Sequence, residues 1–346
     1  MSSWSERMRG ALAAALIALA VPAAARAQSA LTAPCASEFL PDGARATCYA
    51  VAQTAESLQP QLGVLVAGGN PTLGAASTQG LRFGRVPRIS ASLKLNASFV
   101  RVPDIVAAGS SGAAPVGTFD AVAPALAGAL SVGVLPGFTL APGIAGLGSV
   151  DLLGSATWLP FRAFDVEGLR GSDVGYGLGA RFGILRESFS VPGVSVSVMR
   201  HHLPRLGFGE PCDPEHLAAD DPRCDAPSSA GALAADLTNW STRAVASKRL
   251  VGFGLTGGVG YDRYASDLAY AFRHDGQSFA SGDVRLKQDR WSAFGNVSYT
   301  LLIATLGLEA GWQQGSGAVP GYDAAASSFD PKRGHWFGSA GARLHF

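Results

Sequence analysis

The sequence predicts an all-β fold: a closed antiparallel transmembrane β-barrel of 12–14 strands behind a short N-terminal segment. Three observations lead there. Long stretches alternate strictly between apolar and polar residues, aromatic residues sit near the ends of those stretches, and the chain opens on a short apolar run that reads as an export signal.

Arg7 and Arg9 precede the apolar run ALAAALIALAV, and ARA follows it, so residues 1–27 read as a signal peptide cleaved after Ala27. A membrane-anchoring helix fits less well, because spanning needs roughly 20 apolar residues. No later stretch is long and apolar without polar interruption. A second route into a membrane remains: transmembrane β-strands, whose alternation escapes hydropathy windows. The net charge of +1 gives no bulk electrostatic case for nucleic acid, and 44 glycines disfavour long helices.

Residues 28–60 form the N-terminal segment. Ala44 to Leu58 predict a short helix stopped by Pro60, and residues 61–346 are assigned to the barrel. The clearest strand is RISASLKLNASFVRV. Ile89, Ala91, Leu93, Leu95, Ala97 and Phe99 share one face, and Ser90, Ser92, Lys94, Asn96 and Ser98 share the other. Val150, Leu152, Gly154, Ala156 and Trp158 repeat the pattern, as do Val174, Tyr176, Leu178, Ala180, Phe182 and Ile184. Ordinary strands run about five or six residues, whereas a tilted spanning strand needs about 9 to 11. The longer runs here favour a membrane barrel over a soluble sandwich. Closure follows, because an unpaired strand edge in lipid leaves backbone groups without partners. The apolar set then faces lipid and the polar set faces the lumen.

Twelve strands are expected, near 88–101, 128–141, 146–159, 173–186, 191–203, 232–246, 249–262, 266–274, 277–288, 290–302, 303–314 and 335–346. A hairpin at 61–68 and 78–86 would raise the number to fourteen. Long connections at 102–127, 160–172, 204–231 and 315–334 would then share one end.

Lys94, Asp151, Arg181, Arg343 and His345 are the polar residues expected to project into the lumen. Two arrangements satisfy them: a charged constriction that selects solutes, or mutual pairing that closes the barrel. Inward Gly175, Gly177, Gly179, Ser90 and Ser92 leave room in the lumen that segment 28–60 would fill as a plug. Cys35 with Cys48 and Cys212 with Cys224 are expected as two local disulfides, by sequence proximity in an exported chain. A metal site from Cys212, Cys224 and His216 matches no zinc spacing, and the acidic residues of 204–231 are not spaced as an EF-hand. No metal and no cofactor is expected. Gly252, Gly254 and Gly257 fit a dinucleotide fingerprint, but strand and turn follow them where a helix is required. His201 and His202 invite a general-base reading without any nucleophile signature, so rim positions at an outer loop are the simpler expectation.

The terminal stretch WFGSAGARLHF, ending on Phe346, resembles the C-terminal signature of bacterial outer-membrane β-barrel proteins. The stretch GYGLGARFGI…VPGVSVSVMRHHLP resembles an uncharacterised family of such barrels. The general plan is similar to long-chain fatty-acid transporters, although none of their ligand-binding residues matches here. The resemblance implies an outer-membrane location, outer-membrane lipid and the barrel-assembly machinery as partners, and Phe346 as the assembly signal. It places the long connections outside and Phe346 in the periplasm. The expected function is passive transport of small or hydrophobic solutes, not enzymatic. The rivals are a surface barrel that binds partners through its outer loops, and a lipid-modifying barrel enzyme.

Overall fold

A computed structural model describes residues 31–346 except 39, 83–85, 106–116, 142–143, 161–168, 171–172, 210–229, 275–276, 281–283 and 325–326. The expected signal peptide and the Cys212–Cys224 pair lie outside the described residues. Ten strands form the wall: β1 Ile89–Pro103, β2 Thr118–Leu135, β3 Ser149–Leu159, β4 Asp173–Leu185, β5 Gly193–Gly209, β6 Ala230–Leu250, β7 Phe253–His274, β8 Val284–Leu301, β9 Ala304–Gln313 and β10 His335–His345. Each pairs antiparallel with the next, and β10 closes on β1 through a register running from Phe337↔Ser98 to His345↔Ser90.

The barrel is closed and antiparallel, but it has ten strands rather than 12–14. The expected strands 249–262 and 266–274 are one strand, β7; residues 284–288 join 290–301 as β8, while Gln277–Ala280 pairs separately with the end of β7. The proposed hairpin also fails. Residues 61–67 are helical, and only Leu81–Arg82 and Val86–Pro87 pair beyond them.

The merged strands have a physical cause. On β8, Trp291, Val297, Tyr299 and Leu301 point outward and exposed, with Ser292, Asn296 and Ser298 buried inside. Above Trp291 the sidedness inverts. Arg285 and Lys287 point outward, while Val284 and Leu286 are buried. Strand β7 inverts at the same level, where Arg263 and Asp267 pair across the outer surface with Asp289 and Arg285. Below this level the outside is apolar and suits lipid. Above it the strands continue into water with an apolar inside, as in a soluble barrel. A single period-two pattern therefore changes phase without the strand ending.

The apolar belt is extensive. Leu178 is 70% exposed, and Leu93, Leu95, Leu255, Leu306 and Leu308 are comparably open to the surroundings. Soluble monomers rarely leave such contiguous apolar area in water. Trp158, Trp240, Trp291, Trp312 and Trp336 ring its upper edge, with Trp312 directly opposite Trp336. Tyr261 stacks on Trp291 at 5.0 Å between ring centroids. At the lower edge the turns are apolar, with Val251 and Leu302 almost fully exposed. Leu302 takes a left-handed φ of 52°, a conformation usually given to Gly or Asn, so this turn is made without a turn residue. The wall spans a membrane with its long connections at one end; at the other lie the two-residue turns 251–252 and 302–303 and the longer connections 136–148 and 186–192.

Helix α1, Asp42–Ala67, runs inside this wall and spans about 39 Å at 1.5 Å per residue. It is longer than the expected 44–58 helix and passes straight through Pro60. Proline cannot donate to the carbonyl four residues earlier, Glu56. Gln288 of β8 supplies the missing donor, its Nε2 lying 2.8 Å from the Glu56 carbonyl oxygen. The wall thus replaces the bond that Pro60 removes. Gln288→Leu strands that buried carbonyl and should cost about 1–3 kcal/mol. A lowered unfolding temperature of the detergent-folded protein checks this, and an unchanged value would show that the carbonyl does not need the wall.

Candidate functional site in the barrel lumen

The upper end of α1 is fastened by the Cys35–Cys48 disulfide, which ties it to the short 3₁₀ turn Ala33–Ala36. The Tyr270 hydroxyl donates to the Leu31 carbonyl at 2.9 Å beside it. Descending, Gln53 accepts from the Val319 N–H at 2.8 Å, and Ser57 meets Ser316 at 3.1 Å, so the connection 314–334 folds onto the helix. Gln61 accepts from the Arg101 N–H and donates to its carbonyl, filling the edge of β1 above the point where β10 ends. Gly63 abuts the Tyr264 ring, a contact that leaves no room for a larger side chain. Asn96 Nδ2 donates to the Leu65 carbonyl at 2.8 Å, and Arg243 Nη2 donates to the Ala67 carbonyl at 2.7 Å. Two wall residues therefore serve the terminal carbonyls that a helix leaves unbonded.

Below Ala67 the chain crosses the lower lumen as the non-helical segment 68–80. Glu309 accepts from the Asn70 N–H at 3.0 Å, and Ser247 Oγ accepts from the Ala76 N–H at 2.9 Å. The Thr78 and Ser149 hydroxyls lie 2.6 Å apart. Asp151 accepts from the Gln79 N–H at 3.0 and 2.9 Å. Helix and segment together fill the lumen from end to end.

The five polar residues expected in the lumen are all on its wall. Asp151 and Arg181 face each other across β3 and β4, fully buried, with Nη2 2.5 Å from Oδ2. Lys94 donates to the Asn70 carbonyl at 3.3 Å. Arg343 is 1% exposed and donates from Nε to His345 Nε2 at 3.2 Å, near the lower rim. They do not meet as one open constriction, because segment 68–80 stands between them. Several wall residues were not anticipated. Arg243 pairs with Asp262 at 2.8 Å, Glu309 ties segment 68–80, and Arg290 lies 3.4 Å from Glu56 of the helix. Each sits in phase with the inward set of its strand, so extending the alternation would have found them.

His201 and His202 are not rim residues. His201 is buried in the lumen with Nε2 3.3 Å from Ser241 Oγ, while His202 faces outward and stacks on Tyr176. His201 Nδ1 has no partner, so no acid orients the ring as nucleophilic catalysis requires. His201 and Ser241 also face the lumen rather than lipid, which gives no support to a lipid-modifying enzyme. Among the described residues no cluster of His, Cys, Asp and Glu could hold a metal ion.

Two larger pockets flank α1, besides one of about 10 Å³ beside Ser57, Pro60 and Gln61. The upper one, between the helix and β5–β7, is lined by Ala55, Leu58, Leu62, Leu203, Leu237 and Leu268 among others, with Gln59 bonded to Ser266 at its edge. The lower one, beside the end of α1, is lined by Lys94, Thr157, His201 and Ser241. Each holds about 30 Å³ of free space. A single buried water needs roughly 10–15 Å³ by this measure, so neither pocket is an open passage.

No protein-family model matches the chain, and no curated protein matches it. Among solved structures, the translocator domain of the autotransporter NalP from Neisseria meningitidis is 10% identical with a TM-score of 0.37, covering 75% of this chain and 88% of that one. An outer membrane channel from Pseudomonas putida F1 is 9% identical with a TM-score of 0.35, covering 80% and 99%. The Pseudomonas putida toluene transporter TodX is 11% identical with a TM-score of 0.29, covering 81% and 96%. At these identities and scores the likenesses carry no argument about activity. The barrel rests on its own register and closure.

Proposed function

We propose that this chain is a bacterial outer-membrane β-barrel, closed at rest, that passes small solutes along its lumen wall when segment 68–80 and helix α1 give way. One observation carries the reading. Six wall hydroxyls, those of Ser98, Ser131, Ser155, Thr157, Thr256 and Ser292, are buried without a hydrogen-bond partner on the protein. A buried hydroxyl left unpaired costs about 1–3 kcal/mol. A wall built only to pack a permanent plug would not accumulate them, whereas a wall that meets water and polar solute uses them. The apolar pocket higher up offers a berth for the hydrophobic part of a solute. In this reading the long connections face outward, lipid surrounds the belt, and the strand ending on Phe346 is what the assembly machinery reads.

The test locks the segment to the wall. Thr78→Cys with Ser149→Cys places two thiols where the hydroxyls are 2.6 Å apart. In liposome-swelling assays with small sugars and amino acids, oxidation should stop passage and reductant should restore it. Equal passage in both states would move the route away from the lumen. No passage in either state would favour a second reading, a surface barrel that binds partners. That reading draws on the connection 314–334, which is fastened over α1 rather than left clear of the mouth.

A further inference from the structure

We propose that the lower pocket is a binding site for a small monovalent anion, of the size of chloride or formate. It stands whether or not solutes cross the barrel. The pocket lies between the end of α1 and the wall of β1–β6. Its room comes from small side chains. Ala127 and Ala129 line β2, and Gly177 of β4 is the only residue type that fits beside the His201 ring and the Ser155 hydroxyl.

The donors around it are buried and underused. Lys94 is 6% exposed, makes no ion pair among the described residues, and uses one of its three N–H groups on the Asn70 carbonyl. The register places Thr157 opposite Ala127, which is itself opposite Lys94, so ammonium and hydroxyl share one rung of the wall. Ser155 lies on the next rung, opposite Gly177, which is opposite His201. Ser155 Oγ, Thr157 Oγ1 and His201 Nδ1 all lack partners. An ammonium with free N–H groups and two idle hydroxyls is a donor set for an anion.

The charge of the lumen points the same way. The buried described residues carry five cationic side chains, Lys94, Arg181, Arg243, Arg290 and Arg343, against four carboxylates, Glu56, Asp151, Asp262 and Glu309. Three arginines take three carboxylates, which leaves Glu309 against Lys94, and Arg343 near the lower rim beside His345. Among the described residues the lumen as a whole thus carries one more buried cation than buried carboxylates, which favours an anion over a cation in the pocket. The helix end does not oppose it, because Leu65 and Ala67 present carbonyls already bonded to Asn96 and Arg243. With about 30 Å³ free, room for roughly two or three waters by this measure, the site takes a halide or formate and is too small for gluconate.

The full chain folded in detergent should show a saturable rise in unfolding temperature with sodium chloride or formate, and none with sodium gluconate at matched ionic strength. Lys94→Met should abolish the saturable part. Ala129→Leu keeps the ammonium but fills the space, and should abolish it too, which settles the matter if Lys94→Met does not fold. Thr157→Val should weaken the apparent affinity several-fold. Superimposable chloride and gluconate curves would overturn the site and show that water alone fills it. So would an Ala129→Leu protein that responds like the wild type.

Discussion

Deleting residues 31–80 should convert a silent barrel into an aqueous pore. The full chain, inserted in a planar bilayer, is expected to show no steady current steps. Its lumen is filled by α1 and by segment 68–80, and its larger pockets hold only about 30 Å³ each. The wall does not need the plug to close. Every strand pairs with its neighbour, and β10 pairs with β1. The two shortest buried ion pairs, Arg181–Asp151 and Arg243–Asp262, join wall to wall and survive the deletion. What remains is a ten-strand cylinder lined in its membrane zone by serines, threonines and asparagines. Discrete current steps should appear, with a heat-dependent gel shift as the folding control. A folded deletion protein that conducts nothing would mean that the wall collapses on itself.

The second large effect is on stability. Arg181→Met leaves the Asp151 carboxylate, fully buried, without its cation. Breaking one side of a buried pair typically costs about 3–5 kcal/mol, because the remaining charge is uncompensated. Arg181→Met with Asp151→Leu should be milder, since no isolated charge remains. It should still fall short of the wild type, because Asp151 also accepts from the Gln79 N–H. Urea titration of the detergent-folded proteins gives the order: wild type most stable, double variant next, single variant least. A single variant as stable as wild type would show that water reaches Asp151.

Much of the wall was legible in the sequence, because lipid imposes a sharp rule on it. The outward sets beginning at Ile89, Val150 and Val174 face outward in the structure, and Lys94, Asp151 and Arg181 face inward. The errors cluster where the surroundings change. Between Tyr261 and Arg263 the outside passes from membrane to water, and the reversed polarity of β7 was read as a new strand. The span of α1 was misjudged because Pro60 is a helix stop in isolation, and its remedy, Gln288, lies 228 residues away in sequence. The sequence offers residues 28–60 as a plug, but the continuation of the plug through 61–80 has no local signature, since α1 is buried by a cylinder assembled from the whole chain. The expected disulfide between Cys35 and Cys48 forms where proximity put it.

The central claim is that the chain's own N-terminal part closes the lumen. The most direct measurement is disulfide mapping of Thr78→Cys with Ser149→Cys in folded protein. The account predicts that the two thiols join without a linker and that mass spectrometry recovers the peptide containing residue 78 joined to the one containing residue 149. Two free thiols, both modified by a bulky maleimide entering through the lumen, would contradict it.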